Sequence, residues 1–308
     1  MKKPAKLQSG DTIGIVAPAS SFDKENFKKG IKVLRALGYK VKYEKSIFNK
    51  CWSKTGHNKQ RGKQINRMFA DPEIKVILCA KGGYGSQEII SFVDLEVIKK
   101  NPKIFIGYSD ITILLLFLHW AADMVVFHGP VVSGEFFKGM NPETIDSFNR
   151  LLGSDKPFGK TVSKHLRVLR TGKASGPLVG GNLSLILESI GTPYEIDTEN
   201  KILFLEEISE SADVIVSGLN RLKANKKLDK IRGMIWGRMT NCFDSEGEFI
   251  QVIKEFFEDS IYPILYNFPS GHTSDIAQSH LLLPFGINIA IDSDFPNIEI
   301  TESAVTAL

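Results

Sequence analysis

The chain has 308 residues, of which 43% are hydrophobic and 24% charged, and its formal net charge is +4. This composition is typical of a soluble globular protein, and the length is enough for two domains with a sizeable core. The small net charge and the absence of a long Lys/Arg run argue against a nucleic-acid partner.

Three further features exclude other classes of protein. The basic N-terminus is followed by no apolar segment, so we expect no signal peptide. The longest apolar run, residues 113–122, is interrupted by His119 and is too short to span a membrane. The three cysteines form no CxxC pair, so neither a disulfide framework nor a zinc site is indicated. A reducing cytoplasm is the location these features predict.

Strands and helices alternate in the first half of the chain. Alternating βα segments predict a doubly wound, parallel α/β sheet of the Rossmann type. The predicted strands are 12–17, 40–44, 75–80, 103–106 and 124–127, and the predicted helices are 26–37, 59–69 and 111–122.

The pattern becomes richer in short strands after about residue 155. It predicts an α+β domain with a mixed or barrel-like sheet. The predicted strands are 166–169, 202–205, 233–236, 263–266, 287–291 and 297–300, with helices at 182–190 and 212–224. We therefore expect domains at 1–155 and 176–308, joined by a linker at 156–175 that is rich in Gly, Lys, Ser and Pro.

Ser109 follows a predicted buried strand and precedes a predicted helix. A serine on such a turn has the position of the nucleophile in a nucleophile elbow, although Ile111 replaces the final glycine of the generic G-x-S-x-G motif. The N–H groups at the start of the helix could stabilise an oxyanion. Alternatively, Ser109 or Asp110 caps the helix.

A glycine-rich loop, residues 81–86, follows the third predicted strand. It lacks both the P-loop pattern and the dinucleotide-binding fingerprint, so no nucleotide cofactor is indicated. The loop could donate N–H groups to an oxyanion, or it could be a tight turn between strand and helix.

Two further strand ends carry groups that can take part in acid–base chemistry. Glu206 and Glu207 end one predicted strand, and His272 follows another in a glycine-containing loop. A serine, a histidine and a carboxylate can form a nucleophile, general base and orienting group, but solvated acids and a structural histidine fit the same pattern. His128 also ends a strand, where we expect it to pack or to line the cleft. The histidine spacing matches no metal-binding motif.

The turn before the predicted helix 182–190 contains Gly180, Gly181 and Asn182. Its N–H groups could hold a substrate carboxylate, or Asn182 could cap the helix. Lys81 is a second candidate for binding a carboxylate.

In this order, the segments resemble serine peptidase family S66, which contains the L,D-carboxypeptidases of murein recycling and the microcin C self-immunity peptidases. The matching segments are 10–20, 81–86, 106–112, 128–130, 176–183, 203–207 and 271–272. The resemblance implies an N-terminal Rossmann-like domain, a C-terminal β-barrel-like domain, and an active site at their junction. It also implies a cytoplasmic, commonly homodimeric enzyme that needs no metal or other cofactor.

The resemblance further implies a role for each site residue. Ser109 would be the nucleophile, His272 the general base and Glu206 the residue that orients the histidine. The N–H groups of Gly83 and Asp110 would form the oxyanion hole. Glu206 is preferred to Glu207 on the resemblance, and neighbours on a strand point to opposite faces, so one of them faces the histidine.

The expected reaction is acyl transfer through Ser109 on a small peptide, with loss of the terminal D-Ala of a murein tetrapeptide across an L,D bond. The chain departs from the family pattern in three places. Lys81 stands where the family commonly has Arg, Ser270 stands where it commonly has Phe, and the residues after the Glu pair also differ. These departures affect the choice of substrate.

Three alternatives remain open at this point. An immunity-type peptidase would cleave acyl-sulfamoyl adenylates or aminoacyl nucleotides and would use an aromatic platform such as Trp52 or Trp236. A non-catalytic binding module and a generic α/β esterase are the other two.

Overall fold

The protein is described by a computed structural model covering residues 1–49, 55–161, 164–273, 275 and 278–307. Within these ranges the strands are β1 Thr12–Val16, β2 Lys40–Tyr43, β3 Ile74–Cys79, β4 Ile104–Gly107, β5 Val126–His128, β6 Gly159–Thr161, β7 Arg167–Arg170, β8 Lys173–Asn182, β9 Ile202–Ile208, β10 Gly233–Thr240, β11 Ile264–Tyr266, β12 Leu283–Phe285, β13 Asn288–Asp292 and β14 Asn297–Ile300. The helices are α1 Lys24–Ala36, α2 Thr55–Ala70, α3 Leu95–Lys100, α4 Thr112–Ala122, α5 Pro142–Gly153, α6 Leu183–Ser189, α7 Ala212–Ala224 and α8 Glu246–Phe256.

The first sheet has six strands in the order β12-β5-β4-β3-β1-β2. Strands β1 to β5 are parallel, as the alternation of strands and helices predicts, and β12 pairs antiparallel with β5. The central strands are buried along almost their whole length, as expected of a parallel sheet covered by helices. Strand β2 lies at the edge, and its alternating exposure fits that position.

The second sheet has eight strands in the order β6-β14-β13-β8-β9-β10-β11-β7. Its centre, β8 to β11, is parallel, and the outer strands are antiparallel, so the sheet is mixed as expected. Strands β6 and β7 form the two ends of a continuous sheet. The segment 156–175, which we expected to be a linker, contains β6, β7 and the start of β8.

Two elements connect the sheets. Strand β12 comes late in the chain but completes the first sheet. Helix α4 is strongly apolar. It contributes Ile113 to a core cluster that contains residues of both sheets, among them Phe204 on β9, and Leu116 to a second cluster against the second sheet. At its N-terminus, Thr112 Oγ1 accepts the N–H of Asn182 at the end of β8.

Candidate active site

Ser109 occupies the turn between β4 and α4. Tyr108 is extended, Ser109 has a φ of +65°, and a short 3₁₀ helix over Ser109–Ile111 leads into α4. Positive φ costs a residue with a side chain about 1–2 kcal/mol, so the turn is strained. This geometry lifts the hydroxyl away from the sheet, as the elbow-like sequence predicts.

A chain of hydrogen bonds joins the Ser109 hydroxyl, the His272 ring and the Glu206 carboxylate. His272 Nε2 lies 3.0 Å from Ser109 Oγ, and His272 Nδ1 lies 2.7 Å from Glu206 Oε2. The same Glu206 oxygen accepts the His272 backbone N–H at 3.1 Å, and Thr240 Oγ1 donates to the His272 carbonyl at 2.6 Å. With its proton on Nδ1, the ring can accept the Ser109 proton at Nε2. The three residues come from both sheets.

The two neighbouring glutamates on β9 have different partners. Glu206 is fully buried and contacts His272. The carboxylate of Glu207 instead accepts hydrogen bonds from Asn182 Nδ2 at 2.7 Å and from the Ser184 N–H at 2.8 Å, in the first turn of α6. The alternation of side chains along the strand thus directs Glu206 to the histidine and Glu207 to a helix terminus.

Electrostatics favour a proton on His272. Burial alone would raise the pKa of Glu206, but the His272 charge and hydrogen bonds lower it to about 2. Burial alone would lower the pKa of His272, and the adjacent Glu206 carboxylate outweighs burial and raises it. A buried carboxylate that stays ionised stabilises an imidazolium formed when the serine is deprotonated.

The glycine-rich loop lies directly against Ser109. A Cβ on Gly82 would lie 2.8 Å from Ser109 Cβ, and one on Gly83, whose φ is +113°, would lie 2.3 Å from Ser20 Oγ. Ser20 Oγ also accepts the Tyr84 N–H at 3.0 Å. The loop can therefore approach Ser109 only because these two positions lack a side chain.

Asp110 is held by the other end of the same loop. It is buried, its Oδ2 accepts the Ser86 N–H at 2.9 Å, and its carbonyl accepts the Ser86 hydroxyl at 2.5 Å. Burial raises the pKa of Asp110 despite these hydrogen bonds. Its backbone N–H lies in the first helical turn, where N–H groups lack an intrahelical acceptor, and could bind an oxyanion.

The structure separates the three substrate-binding candidates. Asn182 is buried and caps α6, since its Oδ1 accepts the Leu185 N–H at 3.2 Å and its own N–H donates to Thr112 Oγ1 at 3.1 Å. Gly181 is also buried, and a Cβ there would lie 2.5 Å from Thr112 Cγ2. Lys81 is exposed and precedes Gly82. Of the three, Lys81 alone presents its side chain to solvent.

A group of buried polar residues lies beneath the site, and of these the sequence predicted a packing or cleft position only for His128. Tyr108 Oη donates to Glu135 Oε1 at 2.8 Å, and the Tyr108 ring packs edge-on against His272 and His280. His128 is fully buried beside them, and burial lowers its pKa to about 3. Glu135 and His280 belong to no recognisable motif, so the one available signal was the position of Tyr108 beside the candidate nucleophile.

Two kinds of feature are absent from the described part of the chain. No group of three or more His, Cys, Asp and Glu side chains within it is placed to hold a metal ion. No helix in the described ranges is long and apolar enough to cross a membrane.

Comparison with protein families gives two matches that cover most of the chain. The LD-carboxypeptidase N-terminal domain of peptidase family S66 matches residues 13–129, and the corresponding C-terminal domain matches residues 175–291. The first match contains Ser109, and the second contains Glu206 and His272.

Full-length relatives agree with these matches. A probable murein peptide carboxypeptidase of Bacillus subtilis is 36% identical over 94% of this chain and 92% of its own length. The microcin C7 self-immunity protein MccF of Escherichia coli is 30% identical over 97% and 95%. A structure of MccF in complex with aspartyl sulfamoyl adenosine has a TM-score of 0.87 at 27% identity and covers 99% of this chain and 100% of that one. The chain therefore belongs to peptidase family S66, the LD-carboxypeptidases.

Proposed function

We propose that this protein is a serine carboxypeptidase that releases C-terminal D-Ala from a murein tetrapeptide. Ser109 attacks the carbonyl of the L,D bond while His272 takes its proton. His272 then donates that proton to the leaving amine, and water hydrolyses the acyl-enzyme. Glu206 holds the ring and stabilises its charged form. No metal or cofactor takes part in these steps.

The observation that carries the proposal is the pair of short contacts made by His272. Distances of 3.0 Å to Ser109 and 2.7 Å to Glu206 lie within the range for a nucleophile, a base and an orienting carboxylate. The N–H groups of Gly83 and Asp110 are the proposed oxyanion donors, because they flank the nucleophile on the glycine loop and at the helix start. We assign the substrate carboxylate to Lys81, the exposed candidate.

The murein substrate is supported by the relative from Bacillus subtilis, which shares more identity with this chain than MccF does. A free terminal carboxylate distinguishes such a peptide from an esterified or amidated analogue. Lys81→Ala should therefore raise KM for the tetrapeptide and leave its methyl ester little affected.

A second candidate function is cleavage of aminoacyl-nucleotide analogues. It is favoured by the similarity to MccF, which has been solved with aspartyl sulfamoyl adenosine. Of the two tryptophans suggested as a base platform, Trp236 is fully buried against Phe249, and Trp52 lies outside the described residues. Tyr84 is 60% exposed in the glycine loop and offers an aromatic surface two residues after Gly82.

We also propose that the protein is a homodimer and is located in the cytoplasm. The family resemblance supports both statements. Size-exclusion chromatography coupled to light scattering would measure the mass in solution, to be compared with the 34.3 kDa of one chain. Fractionation of cells that express the native gene would test the location.

The decisive experiment measures D-alanine released from disaccharide-free murein tetrapeptide by the purified protein, with Ser109→Ala and an EDTA-treated sample in parallel. EDTA-insensitive release that disappears in Ser109→Ala is the expected result. Absence of release by the parent protein would reject the murein substrate, and aspartyl sulfamoyl adenosine would then be the next substrate. Release that persists in Ser109→Ala would reject the mechanism.

A further inference from the structure

A buried carboxylate, Glu135, lies on the side of Tyr108 away from the Ser109–His272–Glu206 line. It belongs to a π-helical turn, Val132–Phe136, that follows β5, and its side chain is 10% exposed. Glu135 Oε2 accepts the Val131 N–H at 3.0 Å, and Oε1 accepts the Tyr108 hydroxyl at 2.8 Å. The same Oε1 lies 3.6 Å from His280 Nδ1. A buried charge is tolerated only where polar groups satisfy it, and here the Val131 N–H and the Tyr108 hydroxyl do so, one on each carboxylate oxygen.

The contact with Tyr108 bears on the backbone beside the nucleophile. Tyr108 directly precedes Ser109, the residue with the strained φ of +65°. A strained residue persists only when its surroundings over-determine it. The Tyr108 side chain is buried, anchored at its hydroxyl, and packed edge-on against the His272 ring with centroids 4.9 Å apart. Tyr108 is therefore bonded to Ser109 along the chain and contacts the ring of His272.

The contact with His280 leads to the backbone beside the base. His280 is fully buried, and its Nε2 accepts the N–H of Gly271 at 3.4 Å. Gly271 directly precedes His272. Two more hydrogen bonds join the segment before His272 to the segment that contains His280. Ser270 Oγ donates to the Leu281 carbonyl at 2.8 Å, and the Leu281 N–H donates to the Pro269 carbonyl at 2.8 Å. One carboxylate thus contacts the residue before Ser109 and, through His280, the residue before His272.

We propose that Glu135, acting through Tyr108 and His280, is a positioning residue that sets the distance and orientation between Ser109 and His272. This inference rests on the proposed function, because it assumes that these two residues form the reacting pair. A misplacement of about 1 Å in such a pair can cost about 100-fold in rate. Loss of this positioning should therefore lower kcat and leave KM little changed.

The same carboxylate also adds negative charge near the base. Its charge acts with those of the β9 carboxylates to raise the pKa of His272. Burial alone would raise the pKa of Glu135, but the adjacent His280 ring and the hydrogen bonds from the Val131 N–H and the Tyr108 hydroxyl lower it to about 2. The titratable and charged groups around the base and Glu135 are Glu206 and Glu207 on β9, Arg238 on β10, His128 on β5, Tyr108 and His280. Removing the Glu135 charge should move the acid limb of activity to lower pH.

The test uses Tyr108→Phe and Glu135→Gln, with Tyr194→Phe as the matched control. Tyr194 is a buried tyrosine that packs against Phe117, away from the site. The readout is the rate at which a fluorophosphonate probe labels Ser109, located by mass spectrometry, as a function of pH. The probe needs no knowledge of the natural substrate. Thermal unfolding of each variant is measured in parallel.

We expect labelling and kcat to fall by about 10-fold in Tyr108→Phe and by about 10- to 100-fold in Glu135→Gln, with KM little changed. The acid limb should move to lower pH in Glu135→Gln, and adding Tyr108→Phe to that variant should cause little further loss because both act through one hydrogen bond. Tyr194→Phe should label at the parental rate. Folded Tyr108→Phe and Glu135→Gln proteins with parental rates and pH profiles would overturn this inference alone, whereas a parent protein that is not labelled at Ser109 would overturn the proposed function as well.

Discussion

Glu206 and Glu207 are consecutive on β9, yet their carboxylates bind different parts of the protein. Glu206 Oε2 lies 2.7 Å from His272 Nδ1, and Glu207 Oε1 lies 2.7 Å from Asn182 Nδ2. Because successive side chains of a strand project to opposite faces, one strand end supplies both a candidate catalytic contact and the support of α6.

This division predicts opposite phenotypes for two isosteric changes. Glu206→Gln should lower kcat/KM by about 10²- to 10⁴-fold, since the amide no longer stabilises the imidazolium. Glu207→Gln should leave kcat/KM little changed but lower the free energy of unfolding by about 1–2 kcal/mol, since it weakens hydrogen bonds at the start of α6. Steady-state kinetics and urea unfolding of both variants provide the measurement. Equal loss of activity in the two variants would contradict the assignment.

The strained turn at Ser109 predicts a difference between two inactive variants. Ser109→Ala and Ser109→Gly both lack the hydroxyl and should lose about 10⁴- to 10⁶-fold in kcat. Only glycine adopts a φ of +65° without strain, so Ser109→Gly should be more stable than Ser109→Ala by about 1 kcal/mol. Calorimetry of the two proteins tests this difference, and equal melting temperatures would argue against strain at the turn.

The raised pKa of His272 predicts the pH dependence of activity. The base must be neutral to accept the Ser109 proton, so kcat/KM should fall as pH drops through a pKa above the ordinary histidine value of about 6.5. Because the Glu206 charge raises that pKa, the residual activity of Glu206→Gln should have its acid limb at lower pH. A pH profile of both proteins measures the shift. A limb that moves to higher pH would show that the Glu206 charge does not raise the pKa of His272.

The approach of the glycine loop to the nucleophile predicts the effect of one added methyl group. In Gly82→Ala the new Cβ would lie 2.8 Å from Ser109 Cβ, and the loop or the serine must move. We expect kcat to fall by about 100-fold and the free energy of unfolding to fall by about 1–3 kcal/mol. Gly247→Ala is a suitable control, because a Cβ there has no atom closer than 3.6 Å. Parental kinetics in Gly82→Ala would show that this contact does not position the nucleophile.

Strands β1 to β5 of the first sheet could be predicted from sequence because their determinants are local. Most are short apolar runs, β2 alternates between lysine and apolar residues, and Gly38 marks the end of α1. Strand β12, which completes this sheet from the second half of the chain, was not predicted. In the second half, β8 was missed as a strand because it contains three glycines and a proline. Its pairing with β9 and β13, and not its own composition, makes it a strand.

The sequence by itself placed Ser109, Glu206 and His272 at strand ends, because the residue that follows a buried strand is marked by the change from apolar to polar or glycine residues. It could not place them in hydrogen-bond contact with one another, since they are far apart in the chain and belong to two sheets. That proximity depends on the core cluster that unites apolar residues of both sheets and on β12 joining the first sheet. Only the tertiary structure reveals the Tyr108–Glu135–His280 group, because a buried carboxylate is recognised by the groups around it, and Tyr108 and His280 lie far from Glu135 in the chain.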